Sequence, residues 1–519
     1  MDRIVLVAVM LTLGLVVQPS DVRAQSSDAS PKSEEVRSAE AADDASGPET
    51  PSDETTTKIA ESEVDAETKP AAPLRGPKYI NLRYNDDFSY LDGPEGSYKP
   101  DIFDPIKWIH LTDDLTLSLG GEARVMVHSL TNPGFGGNIP TQDTYLWHRY
   151  FLHADLRYRK LLRVFAQGVH AEIEDQNFPL RAGDEDRFDF HQLFMDARIL
   201  GENTPVTLRV GRQEMQYGKQ RLVSPLDWAN TRRSFDGVKL MYQSEKLDVD
   251  VWYMKPVPID LTEGLNRKPN EYRTEQDFYG IYSTYKGIPN HEVDAYFMAL
   301  VDDGDLMNAN FRRGDLSLYT LGGRIGGKFG DFDYDGELAG QWGSFAGDKI
   351  SAWMAGVDAG YTFSQVDWKP RIGVGFDWGS GDRDSTDNKH STFNQLFPLG
   401  HAYLGYLDLV ARQNVIAPNV NLTLTPHERV VVKTTWMGFW ADSPNDALYN
   451  AGGGVSRRDR FRNPGHELGN ELDLTIEVKV DAHQSLLFGY SHFWASNFIA
   501  ATGASRDADF LYMGYTFKF

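Results

Sequence analysis

Cysteine is absent from all 519 residues. That excludes a disulfide scaffold and any thiolate nucleophile or thiolate metal site. Long apolar runs are also missing once the first stretch, Ile4 to Val17, is passed. No stretch of about 18 apolar residues follows it, so no helical membrane span is expected beyond the N-terminus. Positive charge is scarce, with 52 Lys and Arg against 75 Asp and Glu and a formal net charge of −23. What the chain does have is 47 Gly, 28 Phe, 24 Tyr and 11 Trp, with a mean hydropathy of −0.45. A chain polar on average yet rich in aromatics suits strands that show one face to lipid and the other to water.

The N-terminal region is expected to stand apart from the folded body. Residues 1–24 read as a signal peptide: Arg3 gives a positive start, Ile4 to Val17 an apolar stretch, and Val22-Arg23-Ala24 a small-x-small cleavage site. Residues 25–75 read as a disordered acidic periplasmic leader. Between Ser26 and Leu74 there are 13 acidic and 4 basic side chains and almost no large apolar ones. Such a segment buries too little surface to offset its ordering entropy. It reads either as a passive tether or as a repulsive regulator of a pore for polyanions. Residues 76–519 are assigned to the folded body.

From Leu115 onward the chain is a series of period-two segments. Leu115, Leu117 and Leu119 share a face with Ala123, Val125 and Val127, read across a phase adjustment at Gly120-Gly121. Leu152, Ala154 and Leu156 alternate with His153, Asp155 and Arg157, and Val249, Val251 and Tyr253 with Asp248 and Asp250. Leu472, Leu474 and Ile476 alternate with Glu471, Asp473 and Glu477. One apolar and one charged face is a strand signature. The phase of 161–174 is ambiguous. The connections then separate a membrane barrel from a sandwich. They alternate between long (131–143, 175–187, 213–232, 258–276, 302–314, 379–411, 442–466, 495–507) and short (159–160, 201–204, 244–246, 286–290, 330–331, 364–367, 426–428, 481–483). Sorting by parity is expected of outer-membrane barrels and not of soluble sandwiches. The final strand places Leu511, Met513, Tyr515, Phe517 and the terminal Phe519 on one face, resembling the recognition signal of barrel-assembly substrates. The expected fold is all-β: a single transmembrane antiparallel barrel of about 18 strands, with short periplasmic turns and long extracellular loops, in the outer membrane of a Gram-negative bacterium.

A barrel of that size is too wide for side chains alone to fill, so it leaves a water-filled passage unless a loop folds in. Function then rests on inward residues. Arg124, Arg149, Arg163, Lys239, Arg324 and Arg371 are among the basic ones, and Glu122, Asp155, Asp294, Asp335, Glu337 and Asp377 among the acidic ones. Most are expected to brace one another across the wall. Charges left uncompensated at the narrowest level would set ion selectivity. The segment 213–232 carries Arg221 and Arg232 and is flanked by Arg212 and Arg233, beside Asp227-Trp228 and Phe235-Asp236. It reads either as a constriction folding inward or as a surface loop made basic to meet lipopolysaccharide.

The stretch from Val210 to Lys239, reading VGRQEMQYGKQRLVSPLDWANTRRSFDGVK, resembles the central signature of the alginate export family of outer-membrane barrels. Further matches are Ser380-Gly381-Asp382 with Leu396-Phe397-Pro398 and His401-Ala402-Tyr403, then Tyr406-Leu407-Asp408 through Arg412-Gln413-Asn414, then Asp446-Ala447-Leu448-Tyr449-Asn450 with Gly469-Asn470-Glu471-Leu472-Asp473. The resemblance implies a pore that passes an anionic, alginate-like polysaccharide outward through an arginine-rich constriction. It points to Arg212, Arg221, Arg232, Arg233, Asp236, Asp408, Arg412, Glu471 and Asp473, beside Arg124, Arg149 and Arg371 from the wall pattern. The alternative is a substrate-specific or general porin for small solutes. Expected partners are the polysaccharide, outer-membrane lipid and lipopolysaccharide, the barrel-assembly machinery and periplasmic polysaccharide export proteins, with no nucleic acid.

Weaker signals are set aside. Asp382 to Asn388 lacks the positions that complete a calcium loop, and Gly322-Gly323 and Gly326-Gly327 lie in an alternating segment with no following helix. No motif couples a nucleophile to a base, so no enzyme activity, cofactor or metal is expected.

Overall fold

The computed structural model describes residues 74–94, 96–137, 140–181, 183–261, 269–308, 312–458 and 465–519. The expected signal peptide, and all but the last two residues of the expected leader, lie outside the described residues.

Eighteen long strands form the wall. They are β1 (Leu115–Thr131), β2 (Gln142–Tyr158), β3 (Leu162–Glu174), β4 (Asp186–Arg198), β5 (Val206–Gln213), β6 (Ser234–Gln243), β7 (Leu247–Val257), β8 (Gln276–Tyr285) and β9 (His291–Met307). The second half comprises β10 (Arg313–Phe329), β11 (Phe332–Phe345), β12 (Asp348–Thr362), β13 (Arg371–Gly379), β14 (Val415–His427), β15 (Val430–Trp440), β16 (Glu467–Lys479), β17 (Gln484–Ala495) and β18 (Ala508–Lys518). Each is antiparallel to its sequence neighbour, and β18 returns to β1 with Glu122 opposite Lys518 and Thr131 opposite Asp509. Closure leaves no edge strand, as hydrocarbon requires.

The outward set is as the alternation predicts. Leu152 is 65% exposed and Val251 45%, while Arg149 opposite is 1% exposed. Outward aromatics gather near the two rims, Tyr253, Trp342, Trp353 and Trp494 towards the long-loop side and Tyr158, Tyr285, Phe332 and Tyr361 towards the other. These are the positions of interfacial girdles.

Two local expectations are corrected. Gly120-Gly121 makes no phase adjustment, because β1 and β2 pair without a register shift from Leu115–Tyr158 to Thr131–Gln142. The two glycines make room instead: a Cβ on Gly120 would meet the His153 ring at 2.5 Å, and one on Gly121 the Phe519 ring at 2.7 Å. The connection expected at 302–314 is short, because β9 runs to Met307 and β10 starts at Arg313, with a register shift between Asp302 and Leu306 absorbing the acidic cluster. The turn 346–347 between β11 and β12 lies on the same rim and is also tight. Parity therefore sorts most connections but not these two.

The ambiguity of β3 has a physical cause. Val164 faces out, while Phe165 and Val169 face in and are buried. Phe165 packs edge-on against Tyr84 and stacks near Phe194. Tyr84 belongs to the segment before β1, which lies against the periplasmic end of the lumen. There Arg83 donates to the carbonyls of Gly121 and Phe519 at 2.9 Å, and Asn81 Nδ2 reaches Gln216 Oε1 at 2.7 Å.

The lumen is correspondingly less wet than the charge pattern suggested. Inner faces are charged near the periplasmic rim and apolar near the extracellular one: Asp294 gives way to Tyr296, Met298 and Leu300 along β9, and Asp250 to Trp252 and Met254 along β7. Two apolar clusters fill the extracellular half, where loops fold in. One gathers Leu222, Val223 and Phe393 of the loops against Phe235, Trp252 and Met354. The other gathers Leu404, Leu407 and Val410 against Trp147, Phe439 and Tyr512. The loop 214–233 thus folds inward, with Leu222 and Val223 packed in the lumen.

Replacing Leu152 by Arg puts a charge on the lipid face and is expected to destabilise the barrel by about 2 kcal/mol, read as a lower denaturant midpoint for unfolding in lipid vesicles. Glu477→Gln, at the lumen mouth, is expected to leave that midpoint unchanged.

Candidate functional site

The inward loops are held by arginines, and each is matched to an acceptor. β1 and β2 supply Arg124 and Arg149, which stand opposite each other in register. Arg124 donates to the carbonyls of Asp227 (2.6 Å), Trp228 (3.0 Å) and Ala229 (2.8 Å). Arg149 donates to the Ala229 carbonyl at 2.9 Å and to the Asp227 carboxylate at 2.9 Å, and pairs with Glu122. From the loop itself Arg232 reaches the same Asp227 oxygen and grips both oxygens of Glu214, whose Oε1 also meets His191 Nε2 at 2.7 Å. Three guanidinium groups therefore surround one stretch of loop, and its carboxylate, Asp227, keeps 40% of its side chain accessible. Burial works against that charge, yet Arg232, Arg149 and Arg124 hold the Asp227 carboxyl well below the usual carboxylate range.

A second knot joins the two loops to the opposite wall. Arg412 is fully buried and donates to Asp377 through Nε (3.0 Å) and Nη2 (2.8 Å), and to the Arg221 carbonyl at 3.0 Å. Arg221 pairs with Asp335 and reaches Glu337 at 3.5 Å. The Tyr403 ring lies beneath both guanidinium groups, 4.6 Å from Arg221 and 5.1 Å from Arg412. Planar forks that pair with carboxylates and stack on a ring are a task for Arg rather than Lys.

The remaining sequence-derived candidates are elsewhere. Arg212 and Asp236 form a two-pronged wall pair (2.8 and 2.9 Å) that also holds the Asn270 carbonyl. Arg233 donates to the Ser224 carbonyl and sits over Phe397. Arg371 bridges Asp333 and Asp358 near the periplasmic rim, where it lines a cavity of about 330 Å³ roofed by His401, Tyr403 and Tyr406. A larger cavity of about 690 Å³ opens on the same side between Arg157, Arg163, Arg209 and Lys239. Asp408, Glu471 and Asp473 form an acidic group: Glu471 accepts the Leu407 N–H at 3.0 Å, which docks the loop on the wall. Burial pushes the Asp408 carboxyl up to about 7, with Arg181 acting against the rise and Asp473 adding to it; 36% of that side chain remains accessible, so lumen water moderates the effect. Sequence reasoning missed Asp227 as the hub. Its signal was the single acid among the basic residues of 219–233.

Comparison with known proteins bears on this architecture. A family model described as alginate export matches residues 115–512. The chain belongs to the alginate export family. No curated protein matches it by sequence. Among crystal structures it is similar to OccK3 (OpdO) of Pseudomonas aeruginosa, at TM-score 0.52 and 11% identity over 78% of this chain and 95% of that one. OccD3 (OpdP) of the same organism gives 0.52 and 11% over 78% and 91%. OccAB3 of Acinetobacter baumannii gives 0.53 and 10% over 77% and 99%. At such identities the likeness shows a shared barrel fold. This alginate export family member is an outer-membrane β-barrel pore.

An acid whose folded pKa is raised binds its proton more tightly in the docked loop than in a released one. Docking is therefore favoured at low pH and weakens as pH rises from 3.8 towards about 7. Single-channel current of the wild type is expected to rise between pH 5 and 7.5, and Asp408→Asn to flatten that dependence.

Proposed function

We propose that the pore exports an anionic polysaccharide of the polyuronate class, alginate-like, and that Arg124, Arg149 and Arg232 guide its carboxylates. The observation that carries this reading is the occupied cradle. Asp227 presents to Arg149 and Arg232 the same group that each uronate unit would present, and part of it stays accessible in the lumen. A passing carboxylate can take the place of Asp227 by exchanging like for like, so the arginines keep a partner throughout. Contacts of this kind are individually favourable and mutually replaceable, which permits a polymer to advance. Family membership supports the same direction. Arg221 and Arg412 are tied more deeply and act in this reading as braces that hold the two loops to Asp377. Interaction with lipopolysaccharide at the rim, assembly by the barrel-assembly machinery, delivery by periplasmic polysaccharide export proteins and the absence of catalysis belong to the same proposal.

A second reading, uptake of small solutes, draws on the periplasmic cavity of about 330 Å³, which is of single-sugar size. Planar-bilayer recordings separate the two. Export predicts anion preference, block by added polyuronate, and a several-fold stronger block in Asp227→Asn, where the resident competitor is neutral. Cation preference with no polyuronate block would defeat it, and rapid permeation by small sugars without block would favour uptake.

A further inference from the structure

No motif in the sequence points to a metal, but among the described residues the fold brings a set of ligands together outside the lumen. We propose that His148, His170 and Glu172 form a zinc site on the outer face of the barrel, with Glu174 in reach as the fourth ligand. All four residues sit on the outward faces of β2 and β3. His148 pairs directly with Glu172 across the two strands, and His170 lies on the diagonal, opposite Tyr150.

The distances suit tetrahedral coordination. With Zn–N and Zn–O bonds of about 2.0–2.1 Å, ligand atoms of a tetrahedral site lie roughly 3.3–3.5 Å apart. Here His148 Nε2 is 3.4 Å from Glu174 Oε1 and 3.8 Å from Glu172 Oε2, and His170 Nε2 is 3.6 Å from that same Glu172 oxygen. The ligand atoms of His148, His170 and Glu172 all fall within 4.8 Å of one another. None of these pairs is a hydrogen bond at that separation, so the imidazoles and carboxylates face one another at a spacing that an ion would bridge.

Two further observations point the same way. Among the described residues neither ring nitrogen of His148 has a hydrogen-bond partner, although both are buried; a bound ion would satisfy one of them. Glu172 is already aimed: its Oε1 takes Arg187 at 2.9 Å, which leaves Oε2 turned to the two histidines. Arg187 is thus a positioning residue, the outer-shell partner that ligating carboxylates usually have. Arg187 is shared with Glu185 at 3.0 Å, so Glu172, Glu174 and Glu185 stand against one guanidinium and leave the cluster two charges negative when the histidines are neutral; that favours a divalent cation, and imidazole nitrogens favour zinc over calcium or magnesium. The Phe188 ring, 4.2 Å from His170, covers one side.

The location fits the lipid boundary. Tyr150 and Tyr158 are eight residues apart on the outward face of β2, roughly 20 Å along the barrel axis for a tilted strand, close to the height of the apolar band. His148 lies one outward position above Tyr150, where headgroups replace acyl chains. An ion there would staple β2 to β3 at the base of the 175–185 loop.

The test uses the folded full chain in detergent, stripped with chelator and then titrated with zinc alone. Metal retained after gel filtration gives the stoichiometry, and cobalt substitution gives the geometry through its tetrahedral visible bands, to which no cysteine contributes in this chain. The wild type is expected to retain one zinc. His148→Ala, His170→Gln and Glu172→Gln should each weaken zinc binding ten-fold or more and abolish the cobalt bands, while the compact, heat-modifiable band on gels shows that the barrel still forms. Should His148→Ala fail to fold, the other two variants decide the matter. A wild type that retains no zinc, or variants that retain it as well as the wild type does, would overturn the assignment.

Discussion

A guanidinium that leaves water must take a carboxylate or several carbonyls with it, and the interior of this barrel is arranged around that demand. Arg149, Arg221 and Arg412 are almost fully buried. Removing one partner of such a pair typically costs about 3–5 kcal/mol, because the other charge is left stranded. The loops 214–233 and 380–414 therefore cannot drift freely within the lumen. Asp227 ties the first to β1 and β2, and Arg221 and Arg412 tie both to Asp377 on β13. The apolar packing of Phe393, Leu404 and Leu407 follows from that placement, since it shields the same junctions from water and so strengthens them.

The outer surface was readable from the sequence because it answers to a single neighbour, the lipid. Leu152, Val251 and Ile476 face hydrocarbon whatever the inside contains, so their period of two is unbroken. The inner face answers to the wall in one place and to a folded-in loop in another, and its pattern changes accordingly. Where the partner is another wall charge, as for Asp294 with Arg324 and Asp333 with Arg371, alternation stays clear. Where the partner is a loop or the segment before β1, as at Phe165, Trp252 and Met298, both faces turn apolar and the phase fades. A strand with two apolar faces inside a membrane barrel thus marks something packed in the lumen.

The candidate site was legible by residue type and not by grouping. The arginines of the 210–239 signature read as one basic loop, but the structure distributes them: Arg232 goes to the Asp227 cradle, Arg221 to the Asp377 knot, Arg212 to a wall pair with Asp236, and Arg233 to a carbonyl. No spacing rule could assign those partners, since they come from strands more than a hundred residues away in places. The cluster of His148, His170 and Glu172 was hidden for a similar reason. His148 meets His170 and Glu172 only through the β2–β3 register, and it occupies an outward position where the pattern calls for an apolar residue.

An ion-paired loop differs from an apolar plug in what can release it. Apolar packing is undone by a competing apolar surface, which a polyuronate lacks. A carboxylate held between guanidinium groups is undone by another carboxylate, at little net cost because the number of pairs is conserved. The partly accessible Asp227 is the weakest link of that kind, whereas Asp377, 2% exposed, is sealed. The lumen therefore combines a replaceable contact with permanent ones; in the proposed export reading a polyanion shifts the Asp227 segment while the second knot keeps the rest of the loops in place.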